Sequence, residues 1–459
     1  MAKLNLPVYK KQELTVTITD LTYQGLGVAK VEGYPLFIKE ALPQERLVVR
    51  VTKTGKNFGY AQAVKWLERS PKRVKTKAKY LQTGIAPLMH LQYPAQLAFK
   101  QKLIQDLLVK AHLGQVEVAP TLGMDQPYAY RNKAQVPVRQ VRGQLEIGFF
   151  KQGSHDFVPL EDFYIQDQRI DEILVTVRDI LRQYQIAAYD EVHHQGVVRH
   201  IMVRRGYYSH QAMVVLVTRT KKLPHAEAIA QAIQTACPDV ISILHNINSA
   251  KTNVILGPTT KLLAGKTEIE DQLNGLTFKI SAQSFYQVNP TQTERLYQTA
   301  IDQAQLTGQE TVIDAYCGIG TISLSMARHA QHVYGVEIVP QAIEDAKENA
   351  RVNNLTNLTF EVGEAETWMA KWQEQGIKPD VIMVDPPRKG LTSSLIQSAT
   401  AMKPNKIVYV SCNPATLVRD IRKFMDYGYH VTKPIQPVDQ FPQTTHVESV
   451  TVLERTQND

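Results

Sequence analysis

Hydrophobic and polar positions along this 459-residue chain follow three rhythms. Up to about residue 70 the rhythm is alternation. LTVTITD, YPLFIKE, RLVVRVTK and YAQAVKWLE place apolar side chains near every second position, and Gly25, Gly27, Gly33, Gly55 and Gly59 punctuate the runs. A period of two belongs to strands with one buried face, and the glycines mark turns. A small five-stranded barrel of the oligonucleotide-binding kind is expected. Between 93 and 112, Leu97, Leu103, Ile104, Leu107, Leu108 and Ala111 recur at helical spacing, predicting an amphipathic helix with its apolar face in the core. From about 115 to 265, strand-like pieces (LEIGFF, HQAMVVLVTR, SILHNIN) surround a helix near 167–184, a mixed region without a nucleotide fingerprint.

The last third alternates regularly. TVIDAYCGIGTISLSMARHA predicts strand, glycine turn and helix; HVYGVEIV, LTFEV, DVIMVDPP and IVYVSCNP supply further strands, with helices between and after them. Strand and helix in turn mean an α/β domain with a doubly wound, mostly parallel, Rossmann-like sheet. The predicted organisation is a β-barrel over 1–70, a central α+β domain over 71–270, and the α/β domain over 271–459. The 93–112 helix is a candidate to pack with the last of these.

Charge adds a partner class. The net charge is +8, from 52 basic and 44 acidic residues, which makes a polyanion plausible. Three basic stretches stand out. Lys65, Arg69, Lys72, Arg73, Lys75, Lys77 and Lys79 face one acid, Glu68, as a solvated linker or a phosphate-contacting edge. Arg131 and Lys133 close a turn. In VRHIMVRR a period of two would put Arg199 and Arg205 on one strand face and Arg204 on the other. RNA contact is the reading preferred for these five residues over ordinary surface charge. No apolar run approaches the ~18 residues of a membrane span, and MAKLNLPVYKKQELT does not resemble a signal peptide. Cys237, Cys317 and Cys412 are too few and scattered for a disulfide framework or a zinc site. A cytoplasmic protein without a bound metal is expected, with no obligate protein partner in evidence.

Candidate chemistry concentrates at predicted strand ends. Asp314-Ala315-Tyr316-Cys317-Gly318-Ile319-Gly320 is a turn where backbone approaches a ligand closely. It lacks the third glycine of a dinucleotide fingerprint, which disfavours a nicotinamide cofactor. Glu337 ends the next strand, where a carboxylate can accept from ribose hydroxyls. That pairing is how S-adenosylmethionine is commonly held in such sheets. Asp385-Pro386-Pro387 is followed by Arg388-Lys389-Gly390 rather than the aromatic residue of adenine-amine methyltransferases. Cys412 sits at the carboxyl end of a strand, facing the crevice where open α/β sheets bind ligands; a small buried apolar side chain is the alternative.

Taken together, SFYQVNP at 284–290, DPPRKG at 385–390, SCNP at 411–414 and HVESV at 446–450 resemble the RNA uridine-5-methyltransferase family. The opening barrel resembles a TRAM domain, an RNA-binding module often attached to RNA-modifying enzymes. The resemblance covers nearly the whole chain. It implies that Cys412 is a nucleophile and Glu448 a base. It also implies that Gln287, Tyr316, Gly318, Gly320, Glu337 and Asp385 line the cofactor and base pockets, with Asp385 holding the flipped base or positioning cofactor and cysteine. Cys317 and Cys237 are expected to pack, and His446 receives no catalytic role. Many family members hold an iron–sulfur cluster on four cysteines. Here Lys77, Thr83 and Ala86 occupy three of those places and the fourth falls near Phe163, so no cluster is expected. Thr321 stands where some relatives have Asn. The implied function is S-adenosylmethionine-dependent C5 methylation of uridine in 23S rRNA, possible at more than one position. An attached TRAM barrel favours that branch over transfer RNA. A transfer-RNA enzyme is the first alternative, and a non-catalytic RNA-binding assembly factor the second.

Overall fold

The computed structural model describes residues 6–456. The first unit is a barrel whose strands run, in spatial order, Glu13–Thr17, Arg46–Thr54, Gly59–Glu68, Tyr34–Ile38, Gly27–Val31 and Asp20–Leu21. That is one strand more than expected, because Asp20–Leu21 forms a short pairing of its own. Alternation does the folding here: Val16, Leu36, Ile38, Leu47 and Val49 point inward and are buried. Gly27 is required, since a Cβ there would lie 2.8 Å from the Ala41 carbonyl. Glu45, wholly buried, accepts from Arg73 Nε at 2.5 Å and Trp66 Nε1 at 3.1 Å, fastening the basic linker to the barrel.

The central unit is a seven-stranded sheet ordered Thr259–Gly265, Val240–Ile247, Ala212–Thr218, Val198–Arg205, Lys133–Val141, Gln144–Phe150, Phe157–Pro159. Helices Gln168–Gln183 and Ala226–Ala236 cover one face, where Ile173, Val177, Ile229 and Ile233 meet Ile201, Val203 and Val214. The opposite face does not end in solvent. Met202, Met213 and Val215 share a core with Ile269, Phe278 and Tyr286 of the last unit. The predicted cut at 270 thus falls inside a hairpin, Ile269–Leu273 with Leu276–Ile280.

The last sheet runs Leu358–Val362, His332–Glu337, Thr311–Asp314, Val381–Val384, Lys406–Ser411, Glu448–Arg455, Tyr429–Val431, with Gln436–Val438 also paired to Glu448–Arg455. The first five strands are parallel and Glu448–Arg455 is antiparallel to its neighbours. Both faces are buried: Val312, Val408 and Val450 enter one core, Ile313, Ile407 and Leu453 the other. That explains the nearly unbroken apolar runs of these strands. Chain order reverses between Thr311–Asp314 and Val381–Val384, so the crevice for a ligand opens at their carboxyl ends. Helix Tyr93–Lys110 packs here as well, with Ile104 and Leu108 beside Ile421 and Phe424. Downstream of it, Val118 and Leu122 bridge to Ile435 and Val438. Residues 93–122 therefore belong in space to the last unit, with the central sheet inserted after them.

Candidate active site

Five strands deliver side chains to one crevice. Lys406–Ser411 ends in Ser411, whose hydroxyl accepts from Asn413 N at 3.2 Å. Asn413 caps helix Pro414–Met425 through Ala415 N and donates to the Arg388 carbonyl at 2.8 Å. Cys412 is held between these anchors, half-buried, with Sγ 4.0 Å from the Pro386 carbonyl. Ser411 pairs with Ser449, the last pair of the ladder, and Cys412 and Glu448 flank that pair, near enough for the Glu448 carboxylate to act on the thiol. Asp385 follows the Val381–Val384 strand on the other side.

The electrostatics are those of an uncompensated acidic pocket. Burial, then Glu448 and Asp385, pushes the Cys412 thiol up to about 12, opposed by Arg388. Burial and Asp385 push Glu448 up to about 8, again opposed by Arg388. Burial and Asp314 push Asp385 up to about 7. Asp314, fully buried, accepts from Ser323 Oγ at 2.5 Å and is still raised to about 6 by burial, with Glu337 adding to it. A cluster of carboxyls whose charges are unmet is suited to a ligand carrying positive charge.

The glycine turn meets the demands of a nucleoside cofactor. Gly318 and Gly320 take left-handed φ of 52° and 84°, and a Cβ on Gly318 would meet nothing within 4 Å, so its face is open. Glu337 accepts from Val339 N at 3.1 Å, and the next side chains, Ile338 and Val339, are 67% and 49% exposed. An acidic group at a strand end beside an exposed apolar shelf fits a ribose and its base. Gln287 is half-buried, its main-chain carbonyl accepting from Asn132 Nδ2 at 3.2 Å. Tyr316 is half-buried beside the Ala365–Glu374 helix side of the sheet. The residues present thus fit S-adenosylmethionine.

Sequence reasoning missed the strap that leads into Glu448. Residues 439–443 are held by buried polar side chains from distant elements. Lys100 Nζ donates to Asp439 Oδ1 and, at 3.0 Å, to the Phe441 carbonyl. Tyr93 OH donates to Asp439 Oδ2 at 2.8 Å. Asn289 Nδ2 reaches the Gln440 carbonyl at 3.0 Å, Gln292 Nε2 the Asp439 carbonyl at 3.1 Å, and Tyr130 OH the Pro442 carbonyl at 3.0 Å. Lys100 and Asp439 are both fully buried. The available signal was a lysine on the apolar stripe of the 93–112 helix, four residues before Ile104.

The basic residues divide. Arg199 is 3% exposed and donates to the carbonyls of Asn248, Ala250 and Thr252 at 2.8, 2.6 and 2.8 Å. Its guanidinium lies 4.7 Å from the Tyr189 ring centroid. It anchors a loop and has no free face for RNA, which corrects its expected role. A bulge between Val198 and His200 also breaks the alternation, so the two-residue period does not carry from Arg199 to Arg205. Arg205 pairs with Asp167 at 3.0 Å. Arg204 is buried too, while Arg131 and Lys133 are half-buried beside it. In the first linker, Lys65, Arg69, Lys72 and Lys75 are exposed. At the places of the family's cluster cysteines, Lys77 pairs with Asp162 at 3.5 Å, Thr83 bonds the Lys79 carbonyl, and Ala86 and Phe163 are buried. Cys237 and Cys317 are buried.

Residues 92–456 match the family model described as tRNA (Uracil-5-)-methyltransferase. The chain belongs to that family. Residues 7–64 match the TRAM domain. A protein described as an uncharacterized RNA methyltransferase of Lactiplantibacillus plantarum is 64% identical, over 99% of this chain and 100% of its own length. Its counterpart in Enterococcus faecalis is 52% identical over 98% of each. The Pyrococcus abyssi tRNA (uracil-54, C5)-methyltransferase, solved in complex with S-adenosyl-L-homocysteine, is 27% identical and superposes with a TM-score of 0.77, covering 96% of this chain and 99% of that one. The fold is thus that of a uracil-C5 RNA methyltransferase of this family, barrel included. Among the described residues no helix is long and apolar enough to cross a membrane.

Proposed function

We propose that the protein methylates C5 of uridine in RNA through a transient bond between Cys412 and C6 of the base. What supports this reading is the nearness of Cys412 and Glu448, which flank the Ser411–Ser449 pair. Uracil C5 is a weak nucleophile until a thiolate adds to C6 and delocalises an electron pair over C5, C4 and O4. The Cys412 thiol passes its proton to solvent as the base binds, with Arg388 favouring the thiolate, and the thiolate that later leaves C6 takes a proton back from solvent. S-Adenosylmethionine, when bound, supplies an electrophilic methyl group. Gln287, Tyr316, Gly318, Gly320 and Glu337 are the residues assigned to hold it. C5 then bears both methyl and hydrogen. Glu448 removes that proton, the C5–C6 double bond re-forms, and Cys412 leaves as thiolate. A carboxyl raised to about 8 suits a base acting near neutral pH. Asp385 is assigned to hydrogen-bond the extruded base, since a stacked, paired uridine hides C6.

The RNA proposed is 23S rRNA, at one or more uridines, met in the cytoplasm. The replacement of the cluster cysteines supports this branch. On the barrel, Phe37, Phe58 and Tyr60 gather with ring centroids 5.2 to 5.8 Å apart, and Phe37 and Tyr60 line a cleft of about 530 Å³ with Lys53. Such a surface suits stacked bases. A second reading, transfer RNA, is favoured by the Pyrococcus abyssi protein, whose likeness spans too much of this chain to omit the barrel. The test is transfer of label from S-adenosylmethionine to unmodified total RNA, sized and digested to nucleosides. Label in 5-methyluridine of 23S rRNA supports the proposal, and label in transfer RNA keeps the chemistry and replaces the substrate. No label in any fraction overturns it in favour of a non-catalytic RNA-binding factor.

A further inference from the structure

Three cations meet at the seam between the central sheet and the 284–288 loop without a carboxylate to balance them. Lys133 and Arg204 are direct partners on adjacent antiparallel strands, so their side chains rise from the same face. Like charges placed directly opposite work against the sheet. Arg204 is 2% exposed, yet only its Nη2 is used, donating to the Ser284 carbonyl at 2.9 Å; Nε and Nη1 have no partner. Among the described residues none of Arg131, Lys133 and Arg204 takes part in a salt bridge. By contrast the next arginine, Arg205, is paired with Asp167. Burial and the charges of Arg204 and Arg131 lower the Lys133 amine to about 7.

A buried guanidinium with two idle donors, pressed against a second cation, is an expensive arrangement for a fold that has no use for it. Its address gives the use. Asn132, between Arg131 and Lys133, donates its side chain to the Gln287 carbonyl and its main-chain N–H to that of Val288. The cations are therefore tied to the 284–288 loop, which carries Gln287. Lys133 and Arg131, both half-buried, reach solvent, and Lys133 is the one set directly opposite Arg204.

We propose that Lys133, backed by Arg204 and Arg131, is a phosphodiester site that seats the RNA strand beside the crevice. The proposal rests on the RNA methyltransferase reading and adds to it where the backbone is held. Lys133 contacts the phosphate as a point charge. Arg204 pins Ser284 and supplies field from behind. A bound anion favours the charged amine, against burial and the two neighbouring arginines that lower it. A carboxylate of the cofactor shares the chemistry, but the glycine turn and Glu337 that fit the cofactor lie on different strands from these cations.

The test compares wild type, Lys133→Gln and Lys133→Arg for binding of an unmodified 23S rRNA transcript across a salt series, with S-adenosylmethionine binding measured separately. Lys133→Gln is expected to weaken RNA binding by roughly three- to tenfold and to lower the slope of log affinity against log salt by about 1. Lys133→Arg should keep the wild-type slope, and cofactor affinity should be unchanged in both. An unaltered slope in a folded Lys133→Gln overturns the proposal. So does a loss confined to S-adenosylmethionine binding, which would assign the cations to the cofactor's carboxylate. Because binding is read without turnover, an altered slope in a protein that methylates no uridine would leave this site standing and remove the catalytic reading alone.

Discussion

Replacing Lys100 with methionine should be among the most damaging single changes available outside the crevice. The substitution keeps the length of the aliphatic stem and deletes the ammonium. Asp439 is then left fully buried with the Tyr93 hydroxyl, 2.8 Å away, as its remaining side-chain donor. The Phe441 carbonyl loses its bond at 3.0 Å as well. Removing one member of a buried ion pair costs about 3–5 kcal/mol, whereas replacing both by apolar residues is often neutral. The expected result is a loss of about that size for Lys100→Met in urea unfolding followed by tyrosine and tryptophan fluorescence. Most of it should return in Lys100→Met/Asp439→Leu. A single variant within about 1 kcal/mol of wild type, or a double variant no better than the single, would refute the idea that this pair holds the strap.

Cys412→Ala should lose turnover while keeping RNA and cofactor affinity; methylation at the wild-type rate would move the nucleophile elsewhere. Glu448→Gln should stop after methyl transfer, giving an RNA–protein adduct that survives denaturing electrophoresis, and normal product release would exclude Glu448 as the base. Asp314, Asp385 and Glu448 stand at about 6, 7 and 8 in the fold, against ordinary values of 3.8, 3.8 and 4.5. The folded state therefore keeps protons that the unfolded chain has released, and stability is lost as pH climbs from about 4 through 8. Calorimetry of the ligand-free protein should show a melting temperature that falls between pH 6 and 8.5, less so in Glu448→Gln; a rise over that interval would contradict the pocket described above. Arg199→Ala should destabilise by about 2–4 kcal/mol, from charged hydrogen bonds to three carbonyls, with the salt slope of RNA binding unchanged.

Much of the fold was legible because its signals are local. Period-two runs between glycines announce the barrel, and apolar runs such as Val381–Val384 announce strands buried on both faces. The crevice was legible because Asp314, Glu337, Asp385 and Cys412 all sit where strands end, a position that chain order exposes. What was hidden depends on contacts between distant residues. Nothing near Arg199 in the chain reveals that the carbonyls of the 248–252 loop will enclose it. One extra residue at the Val198/His200 bulge is enough to defeat a face assignment made by counting. Lys100 was passed over because helical periodicity registers a polar residue on an apolar stripe as an interruption, while its partner lies 339 residues away.

That separation bears on how the protein is made. Helix Tyr93–Lys110 leaves the ribosome long before the strand carrying Glu448. At about 5–20 residues per second, the 339 residues between Lys100 and Asp439 take roughly 17–70 s to translate. Throughout that interval the helix presents Ile104, Leu108 and an unneutralised lysine to the cell, while the inserted central sheet can already close on its own helices. Completion of the catalytic unit is thus a post-translational event that waits for the final strand. A chain truncated before Asp439 should fold its barrel and central sheet and still be taken by chaperones through this one helix.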